Sequence, residues 1–487
     1  MTDSYENYIN GEWRPSETGE TFEIRNPADN EEVVAHVQDS SSEDATDAIE
    51  AATAAQSEWA GRPASERRAL LRETAKRMDD RADELAETLS REEGKTLTEA
   101  SGEVSRAINI FYYYAEQSME HDGTRKPASN SNQNLYTVRE PMGVAGLIVP
   151  WNYPIAIPSW KMAPALATGN TVVCKLSGPA PTVFLKVAEC LDAAADVTDT
   201  PDGTVNVLTG GGEEVGNPIV EHDAVDAVSF TGSQSVGDMI YGQATDNRKR
   251  VQTEMGSKNP TVVTANADIE EAVQVVGDGV CSVTGQACTA TERVIVDESV
   301  HDEFVDGLIE YVDSVDIGPG LEDPGMGPQV NESELDSTLD YVETAKDEGA
   351  TLAYGGGQPE GSEYENGHFV EPTVFTDAES DMAFMQEEVF GPFAGVVSYS
   401  DFEEAIELAN DVEFGLSASI VTQDHTEANR FIEEVDFGVM KVNEATSGLD
   451  LHVPFGGMNA SSSETYREQG QAGMDYFTII KTVYESY

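Results

Sequence analysis

Cysteine, basic side chains and long apolar runs are all scarce in this sequence of 487 residues. Its four cysteines form no CxxC pair and no cluster with histidine, which argues against a disulfide framework and against a zinc site. No stretch reaches the roughly 18 consecutive apolar residues that a membrane-spanning helix needs. The opening "MTDSYENYINGEW" lacks the basic and apolar segments of a signal peptide. We therefore expect a cytoplasmic protein with no metal site and no membrane partner.

The scarcity of basic residues is pronounced, because 28 Lys and Arg face 91 Asp and Glu, giving a formal net charge of −63. Nucleic-acid binding needs clustered Lys and Arg for its phosphate contacts, so nucleic acid is a poor partner for this surface. The acidic residues recur on helix-like patterns between runs of Val, Ile, Phe and Tyr, which a disordered acidic chain would lack. A folded protein coated with carboxylates repels itself at low ionic strength. The composition therefore predicts a protein of a salt-accumulating organism.

The length exceeds what one core can organise, so we expect more than one domain. Helical periodicity dominates from about residue 42 to 121, and "YINGEW" with "FEIRNPA" is predicted to form a short strand pair. Strands alternate with helical patterns in two later series, of which the second runs from about 259 to 443. Such alternation is typical of parallel sheets covered by helices. The predicted fold class is α/β, with two α/β domains and a small extra β element.

Two glycine-containing segments of the first series could approach a phosphate group. "FTGSQSVG", with Gly232 and Ser233, follows an apolar strand and opens a helix, where backbone N–H groups bind anions. "TGGGEEVG" supplies Gly210, Gly212 and Gly216, one residue off the usual dinucleotide spacing. Each segment alone is more typical of a tight turn. Together they favour a dinucleotide-binding domain.

Two reactive groups stand out locally, although simpler interpretations compete with them. Cys288 in "TGQACTATERV" has small or polar neighbours that could leave its sulfur accessible, but free cysteines are mostly buried and inert. Glu254 in "TEMGSKNP" precedes a glycine, but it is one of 91 acidic residues and could simply be solvated. The remaining cysteines, Cys174, Cys190 and Cys281, are expected to be structural.

A series of seven motifs resembles the non-phosphorylating, NAD(P)-dependent aldehyde dehydrogenase family. In chain order they are "VPWNYP", "KMAPALATGNTVVCKL", "FTGSQSVG", "EMGSKNP", "GQACTATERVIV", "EEVFGPF" and "PFGGMNASSSETYREQG". The resemblance runs from "YINGEW" to "KTVY", essentially the whole chain, and the separation of Glu254 and Cys288 (288 − 254 = 34) matches it. It implies a dinucleotide-binding domain (1–123 and 147–255), a catalytic α/β domain (256–443), an oligomerisation element (124–146 and 463–487) and a return segment (444–462).

The resemblance also implies a mechanism. Cys288 would attack the aldehyde, Asn152 and the Cys288 N–H would stabilise the oxyanion, and Glu254 would activate water to hydrolyse the thioester. A CoA-acylating relative would usually lack the glutamate base. A non-enzymatic descendant of the fold should have lost at least one of these three residues. Both alternatives are therefore disfavoured.

Cofactor contacts are carried over on the same basis. The residues implied are Lys175 for the adenosine ribose, Ser233 and Gly232 for the pyrophosphate, Gly212 and Gly216 nearby, Trp151 in the wall, and Glu388 and Phe390 for the nicotinamide ribose and ring. NAD-preferring relatives often carry a glutamate where this chain has Gly178. No carboxylate would then repel a 2′-phosphate, so NADP is the expected cofactor, with NAD possible.

The segment "KVNEATSGLDLHVPFGGMNASSSETYREQG" looks most like the branch that oxidises 2,5-dioxopentanoate (α-ketoglutarate semialdehyde) in pentose and sugar-acid breakdown. Glyceraldehyde, succinate semialdehyde and generic aliphatic aldehydes remain alternatives. Tyr153 and Trp160 are expected near the substrate, and Trp160 replaces an arginine of some succinate-semialdehyde enzymes. Arg106 could bind an anion, although a surface ion pair is the simpler expectation. The alternating C-terminal segment predicts an edge strand that pairs subunits into a homodimer or homotetramer.

Overall fold

The structure, a computed structural model, describes residues 3–487. Its α-helices are α1 Ser42–Gly61, α2 Ala64–Asp79, α3 Ala82–Glu93, α4 Leu97–Gln117, α5 Ala156–Ala167, α6 Thr182–Thr198, α7 Asn217–Glu221, α8 Gln234–Asp246, α9 Ile269–Cys281, α10 His301–Asp313, α11 Glu332–Glu348, α12 Ala383–Gln386, α13 Phe402–Asn410, α14 His425–Glu434 and α15 Gly470–Tyr476. No helix within 3–487 has the length and apolar character needed to span a membrane.

The strands are β1 Asp3–Ser4, β2 Asn7–Ile9, β3 Glu12–Arg14, β4 Thr21–Asn26, β5 Asp29–Gln38, β6 Arg125–Lys126, β7 Gln133–Pro141, β8 Val144–Ile148, β9 Thr171–Lys175, β10 Val205–Leu208, β11 Val225–Thr231, β12 Arg250–Glu254, β13 Asn259–Val263, β14 Thr291–Asp297, β15 Thr351–Tyr354, β16 Thr373–Thr376, β17 Phe393–Tyr399, β18 Ser417–Val421, β19 Val439–Val442 and β20 Thr478–Ser486.

The first large sheet has seven strands in the order β12-β11-β8-β9-β10-β2-β3. The strands from β12 to β10 are parallel, and β2 and β3 extend the sheet antiparallel. Every residue of β8 and β9 is buried, as expected for parallel strands covered on both faces by helices. The turns that follow β8, β11 and β12 therefore lie along one edge of this sheet.

The second large sheet has the order β15-β16-β17-β14-β13-β18-β19 and is parallel except for β15. The first strand of this sheet in chain order is β13. Only the four residues 255–258 connect it to β12, so the chain passes directly from the first sheet to the second. The two predicted α/β units and their parallel sheets are confirmed. The site described below lies at this crossing.

A three-stranded sheet, β20-β7-β6, stands apart from the two large ones. The nine residues of β20 pair antiparallel with β7, and β20 is an end strand of this sheet. Strand β8, which follows β7 in the chain, does not join this small sheet but lies in the first large one. The domain boundaries given above stay predictions.

The predicted pairing of "YINGEW" with "FEIRNPA" is wrong. Asn10 and Gly11 have positive φ values of 56° and 76°, so "YINGEW" folds on itself as the β2–β3 hairpin. Asn-Gly is a strong signal for a two-residue hairpin turn, which outweighs longer-range pairing. "FEIRN" instead pairs with β5, and β5 also pairs with β1.

The predicted helical region from about 42 to 121 is confirmed by α1 to α4. Capping boxes start α1 at Ser41 and α4 at Thr96, and α3 ends at Gly94 with φ of 102°. Cys174 in β9, Cys190 in α6 and Cys281 in α9 are all buried, whereas Cys288 is partly exposed. The expectation that the first three are structural agrees with their burial.

Candidate active site

Two cavities meet at Cys288. The larger, of about 280 Å³, is lined by Glu99, Gly102, Glu103, Arg106, Tyr153, Ala156, Ile157, Trp160, Ser282, Val283, Cys288, Thr289, Gly448, Leu449 and Phe455. The smaller, of about 200 Å³, is lined by Pro150, Trp151, Asn152, Thr231, Gly232, Ser233, Met255, Gly256, Cys288, Glu334, Glu388 and Phe390. Cys288 is shared by both linings, so a molecule entering from either side reaches the same sulfur.

The loop before Cys288 is held in a strained backbone conformation. Val283 and Thr284 have φ values of 52° and 56°, in the left-handed region that β-branched residues rarely adopt. Gly285 follows with φ of 68°, and a Cβ there would lie 2.0 Å from the carbonyl oxygen of Gly391. Strain of this kind persists only where the surroundings over-determine it, and it clusters at functional sites.

Several hydrogen bonds fix this loop from different parts of the chain. The Val283 N–H donates to Glu99 Oε1 at 2.7 Å, and Glu99 is also the capping-box residue of α4. The Val330 N–H donates to Gln286 Oε1 at 2.9 Å. Asn259 Nδ2 donates to the carbonyl oxygen of Cys288 at 2.8 Å. Helix α4, the loop at Val330 and strand β13 thereby hold the backbone of the loop that carries Cys288.

The surroundings of Cys288 favour the protonated form of its thiol. Burial raises its pKa, and the nearby carboxylates of Glu388, Glu254 and Glu468 raise it further. A thiol becomes a strong nucleophile only as the thiolate. The reaction therefore needs a base or a change in local charge to remove the proton.

Asn152 lies beside Cys288 in the turn after β8. Its side-chain Nδ2 donates one N–H to the carbonyl oxygen of Gln286 at 2.9 Å, which leaves its second N–H available. The buried Lys95 ammonium donates to the Asn152 carbonyl oxygen at 2.8 Å and to Glu103 Oε2 at 2.6 Å. Lys95 and Glu103 therefore act as positioning residues for the Asn152 turn.

Glu254 ends β12 and is buried next to this loop. Its Oε2 accepts from the Gly457 N–H at 2.8 Å, and its Oε1 accepts from Gln252 Nε2 at 3.2 Å and from Ser462 Oγ at 3.3 Å. Burial raises the pKa of Glu254 to about 8, with the charge of Glu468 adding to the effect. The carboxyl group does not line either cavity in this position, although it lies close enough to influence the Cys288 thiol.

The far wall of the smaller cavity is fixed by a buried ion pair. Lys258 pairs with Glu292, whose carboxylate accepts from the N–H groups of Val389 and Phe390 at 3.0 Å and 2.9 Å. Phe390 has φ of 61° and contacts Trp151 edge-on, with ring centroids 5.4 Å apart. These contacts place two aromatic rings at the cavity wall.

Glu388 closes the cavity from the same segment. Its Oε1 accepts from the Ser257 N–H at 2.9 Å, and a Cβ on Gly256 would lie 2.2 Å from its Oε2. Burial and the charge of Glu292 raise the pKa of Glu388 to about 8. Only glycine at position 256 allows the carboxyl group to approach the backbone this closely.

The edge of the first sheet offers unused donors beside this cavity. The buried Lys175 ammonium donates to the Leu176 carbonyl oxygen at 3.2 Å, and it forms no ion pair with a carboxylate of residues 3–487. Thr231 Oγ1 is buried without a hydrogen-bond partner in the described chain. Ser233 is the N-cap residue of α8, and its side chain makes no capping hydrogen bond. A dinucleotide fits these residues, because it supplies ribose hydroxyls and phosphate oxygens as partners.

The glycines predicted for the cofactor lie in different surroundings. Gly212 and Gly216 bound a single π-helical turn, and a Cβ on Gly216 would contact the Lys175 side chain at 3.8 Å. A Cβ on Gly178 would have nothing within 4 Å. Lys175, Gly178, Gly212 and Gly216 do not line the smaller cavity, whereas Gly232 does.

The three predicted substrate residues all line the larger cavity. Trp160 Nε1 donates to Glu468 Oε2 at 2.8 Å, and Tyr153 lies with its ring 4.5 Å from the Lys95 ammonium. Arg106 is half-buried and makes no ion pair with any described residue. The simpler expectation for Arg106, a surface ion pair, is therefore wrong, because its guanidinium donates to the Leu449 carbonyl oxygen and to Gln469 Oε1.

Buried ion pairs around the site were missed from the sequence. They join Lys95 with Glu103, Lys161 with Glu468 and Lys258 with Glu292, at separations of 8, 307 and 34 residues. Residues at these separations are not brought together by the periodicity of a single helix or strand. The sequence pattern therefore could not reveal these pairs. Within the described part of the chain, His, Cys, Asp and Glu side chains form no group of three that could bind a metal ion.

Comparison with known proteins supports the resemblance. The family model described as "Aldehyde dehydrogenase family" matches residues 13–483. An alpha-ketoglutarate semialdehyde dehydrogenase of Haloferax volcanii is 57% identical over 100% of both chains. An alpha-ketoglutaric semialdehyde dehydrogenase of Bacillus subtilis is 43% identical over 99% of this chain and 98% of its own. The crystal structure of betaine aldehyde dehydrogenase from Staphylococcus aureus in complex with NAD+ has a TM-score of 0.95 at 34% identity, covering 99% of this chain and 95% of its own.

Proposed function

The chain belongs to the aldehyde dehydrogenase family, and we propose that it oxidises 2,5-dioxopentanoate (α-ketoglutarate semialdehyde) to 2-oxoglutarate with NAD(P) as the oxidant. The observation that carries this proposal is that Cys288 lines both cavities. An aldehyde in the larger cavity and a nicotinamide in the smaller one would meet at its sulfur. The substrate is inferred from the relatives of Haloferax and Bacillus, whose similarity covers almost the entire chain.

In the first step, the Cys288 thiol gives up its proton to solvent water, the sulfur bonds to the aldehyde carbon, and the carbonyl electrons move to the oxygen. The free N–H of Asn152 and the backbone N–H of Cys288 would stabilise this oxyanion. Removing one such donor typically costs about 3–4 kcal/mol of transition-state stabilisation. The product is a thiohemiacetal bound to Cys288.

In the smaller cavity, NAD(P) would supply the acceptor for the hydride that leaves the thiohemiacetal carbon. Trp151, Phe390 and Glu388 would hold the nicotinamide end, and Ser233 and Thr231 would bond the polar linkage. The Phe390 ring is fixed through Glu292, so it would exclude water from the carbon that loses hydride. A thioester on Cys288 remains.

Hydrolysis of this thioester is assigned to Glu254. Its carboxylate would leave the Gly457 N–H, turn towards Cys288 and take a proton from the attacking water. The sulfur then leaves as the acid forms. A pKa of about 8 keeps Glu254 close to the pH at which a general base works best.

We propose NADP as the preferred cofactor. The glycine at position 178 places no carboxylate against a 2′-phosphate. Lys175 lacks a carboxylate partner among residues 3–487, so its charge is available to an anionic group. NAD would bind through the same residues without that additional charge contact.

We also propose that subunits associate through β20. This end strand exposes Ile479, Ile480 and Tyr484, with exposed fractions of 44%, 55% and 69%. An apolar end strand is a ready surface for pairing with a second chain. A homodimer or homotetramer would bury the apolar side chains of β20. Static light scattering in high salt would give the number of subunits.

The proposed reaction is tested by reduced-cofactor formation in multimolar KCl. NADP and NAD are compared with 2,5-dioxopentanoate, glyceraldehyde, succinate semialdehyde and propanal, each with and without CoA. The highest kcat/KM is expected for 2,5-dioxopentanoate with NADP, independent of CoA. Cys288→Ala should abolish turnover, and Cys190→Ala, which changes a buried cysteine of α6, serves as the matched control. Similar kcat/KM for all four aldehydes would contradict the proposed substrate, and a requirement for CoA would contradict hydrolysis.

A further inference from the structure

Arg106 is a basic side chain without an acidic partner, at the wall of the larger cavity. Its Nη1 donates to the Leu449 carbonyl oxygen, and its Nη2 donates to Gln469 Oε1 at 2.8 Å. No carboxylate of residues 3–487 lies within 4.0 Å of its guanidinium nitrogens. Several other basic residues, Arg67 among them, also donate only to neutral groups, so what sets Arg106 apart is that it lines the cavity that contains Cys288.

The acidic residues of the same cavity do not neutralise Arg106, because they are bonded elsewhere. Glu103 accepts from Lys95 Nζ and from the N–H groups of Ile155 and Ala156. Glu99 accepts from the N–H groups of Val283 and Thr96. Asp450 and Glu103 stabilise the arginine charge only at longer range. The guanidinium therefore keeps donors that no described residue uses.

The guanidinium is held in place from two sides. Gln469, which is 1% exposed, has φ of 61° and ψ of 172°, a backbone region that is essentially restricted to glycine. This strained residue aims its Oε1 at Arg106. On the other side, the guanidinium carbon lies 5.8 Å from the centroid of the Trp160 ring, whose Nε1 is fixed by Glu468. Such bracing reduces the entropy that Arg106 would lose when it binds a ligand.

A guanidinium out of bulk water without a counter-ion is destabilising, and burial accordingly lowers the pKa of Arg106. Its planar set of N–H groups matches a carboxylate, with two parallel hydrogen bonds. Cys288 lies in the same cavity. A ligand that places its aldehyde at Cys288 can therefore place a distal anionic group at Arg106.

We propose that Arg106 binds the distal carboxylate of the substrate and thereby selects small aldehydes that carry one. Gln469 and Trp160 act as its positioning residues. This inference rests on the proposed function, since it assigns the part of the site that would recognise the acid end of 2,5-dioxopentanoate.

The test compares 2,5-dioxopentanoate with pentanal, an aldehyde of the same carbon number without the carboxylate. The measured quantity is the ratio of their kcat/KM values in the wild type, Arg106→Gln and Arg106→Lys. The wild-type ratio should favour 2,5-dioxopentanoate, and Arg106→Gln should reduce that ratio by about 100-fold, mainly through KM. Arg106→Lys should give an intermediate ratio, because it keeps the charge but not the two parallel hydrogen bonds.

Arg67→Gln is the matched control, because Arg67 is also half-buried and donates to a carbonyl oxygen, that of Ala167, at 2.9 Å, but does not line the cavity. Its ratio should equal that of the wild type. If the wild type prefers 2,5-dioxopentanoate and Arg106→Gln retains the full preference, the role of Arg106 is overturned while the proposed substrate stands. A wild type that does not distinguish the two aldehydes would overturn both. If Arg106→Gln does not fold, Arg106→Lys takes its place. The inference is then overturned if the kcat/KM ratio of the two aldehydes in Arg106→Lys equals that of the wild type.

Discussion

Replacing Glu254 with glutamine should separate the two halves of the reaction. Glutamine keeps the size of the side chain and its acceptor oxygen, so the bonds from Gln252 and Ser462 can persist. It cannot take a proton from water. Loss of a general base typically lowers the rate of the step that it catalyses by about 10²–10⁴-fold. The thioester on Cys288 should therefore form but hydrolyse slowly.

The pH dependence of hydrolysis follows from the raised pKa of Glu254. With a pKa of about 8, the carboxylate form makes up about 10% of the enzyme at pH 7 and about 90% at pH 9. Since the base is the ionised form, the wild-type hydrolysis rate should rise by about tenfold between these pH values. The Cys288 thiol also loses its proton more readily as pH rises, so acylation must be measured separately.

Rapid mixing with saturating aldehyde provides that separation. The wild type should give steady formation of reduced cofactor, whereas Glu254→Gln should give a burst of one equivalent per active site followed by slow turnover. Hydroxylamine, which attacks thioesters without a protein base, should restore turnover in the variant. Glu270→Gln, at an exposed position of α9, is the matched control. Wild-type turnover by Glu254→Gln would refute the assignment, and loss of the burst itself would move Glu254 to the deprotonation of Cys288.

Three further predictions address the oxyanion, the cofactor and the surface. Asn152→Ala should lower kcat/KM by about 10²–10³-fold in single-turnover assays while the Kd of the cofactor changes little, and a smaller loss would contradict its role as an oxyanion donor. Gly178→Glu should fold, because a Cβ there meets nothing within 4 Å. The new carboxylate would repel a 2′-phosphate and should shift the NADP-to-NAD ratio of kcat/KM towards NAD by at least about tenfold. An unchanged ratio would count against the cofactor proposal. With a formal charge of −63, the protein should unfold at a lower temperature in about 0.1 M KCl than in multimolar KCl. The reason is that salt screens the repulsion between carboxylates, since the Debye length falls from about 10 Å at 0.1 M to about 3 Å at 1 M. Equal thermal midpoints by circular dichroism would contradict this.

The parallel sheets could be predicted because their strands are short apolar runs between helical patterns. β8 and β9 are buried along their whole length, so their sequences carry a strong local signal. The predicted opening of a helix after "FTG" is also confirmed by the position of α8. The pairing of "YINGEW" with "FEIRNPA" could not hold because Asn-Gly is itself a strong two-residue turn, which folds "YINGEW" into its own hairpin.

The site itself divides in a similar way. Cys288, Asn152 and Trp151 were proposed from motifs, and the structure brings all three to the smaller cavity. The strain at Val283 and Thr284 leaves no trace in a sequence, because neither residue favours a left-handed backbone. The partners of Arg106, Leu449 and Gln469, lie 343 and 363 residues away. Only the folded chain shows that this arginine lines the cavity that contains Cys288.

The scarce basic residues of this chain are used in two distinct ways around the site. Lys95, Lys161 and Lys258 each neutralise a buried glutamate and so fix the backbone or side chains nearby. Lys175 and Arg106 donate only to neutral acceptors among the described residues. Leaving a cation unpaired on a protein with 91 acidic residues is costly unless a ligand supplies the missing charge. Lys175 and Arg106 lie where the proposed ligands would carry negative charge, the 2′-phosphate of NADP and the substrate carboxylate, so the same site would favour a phosphorylated cofactor and a charged aldehyde.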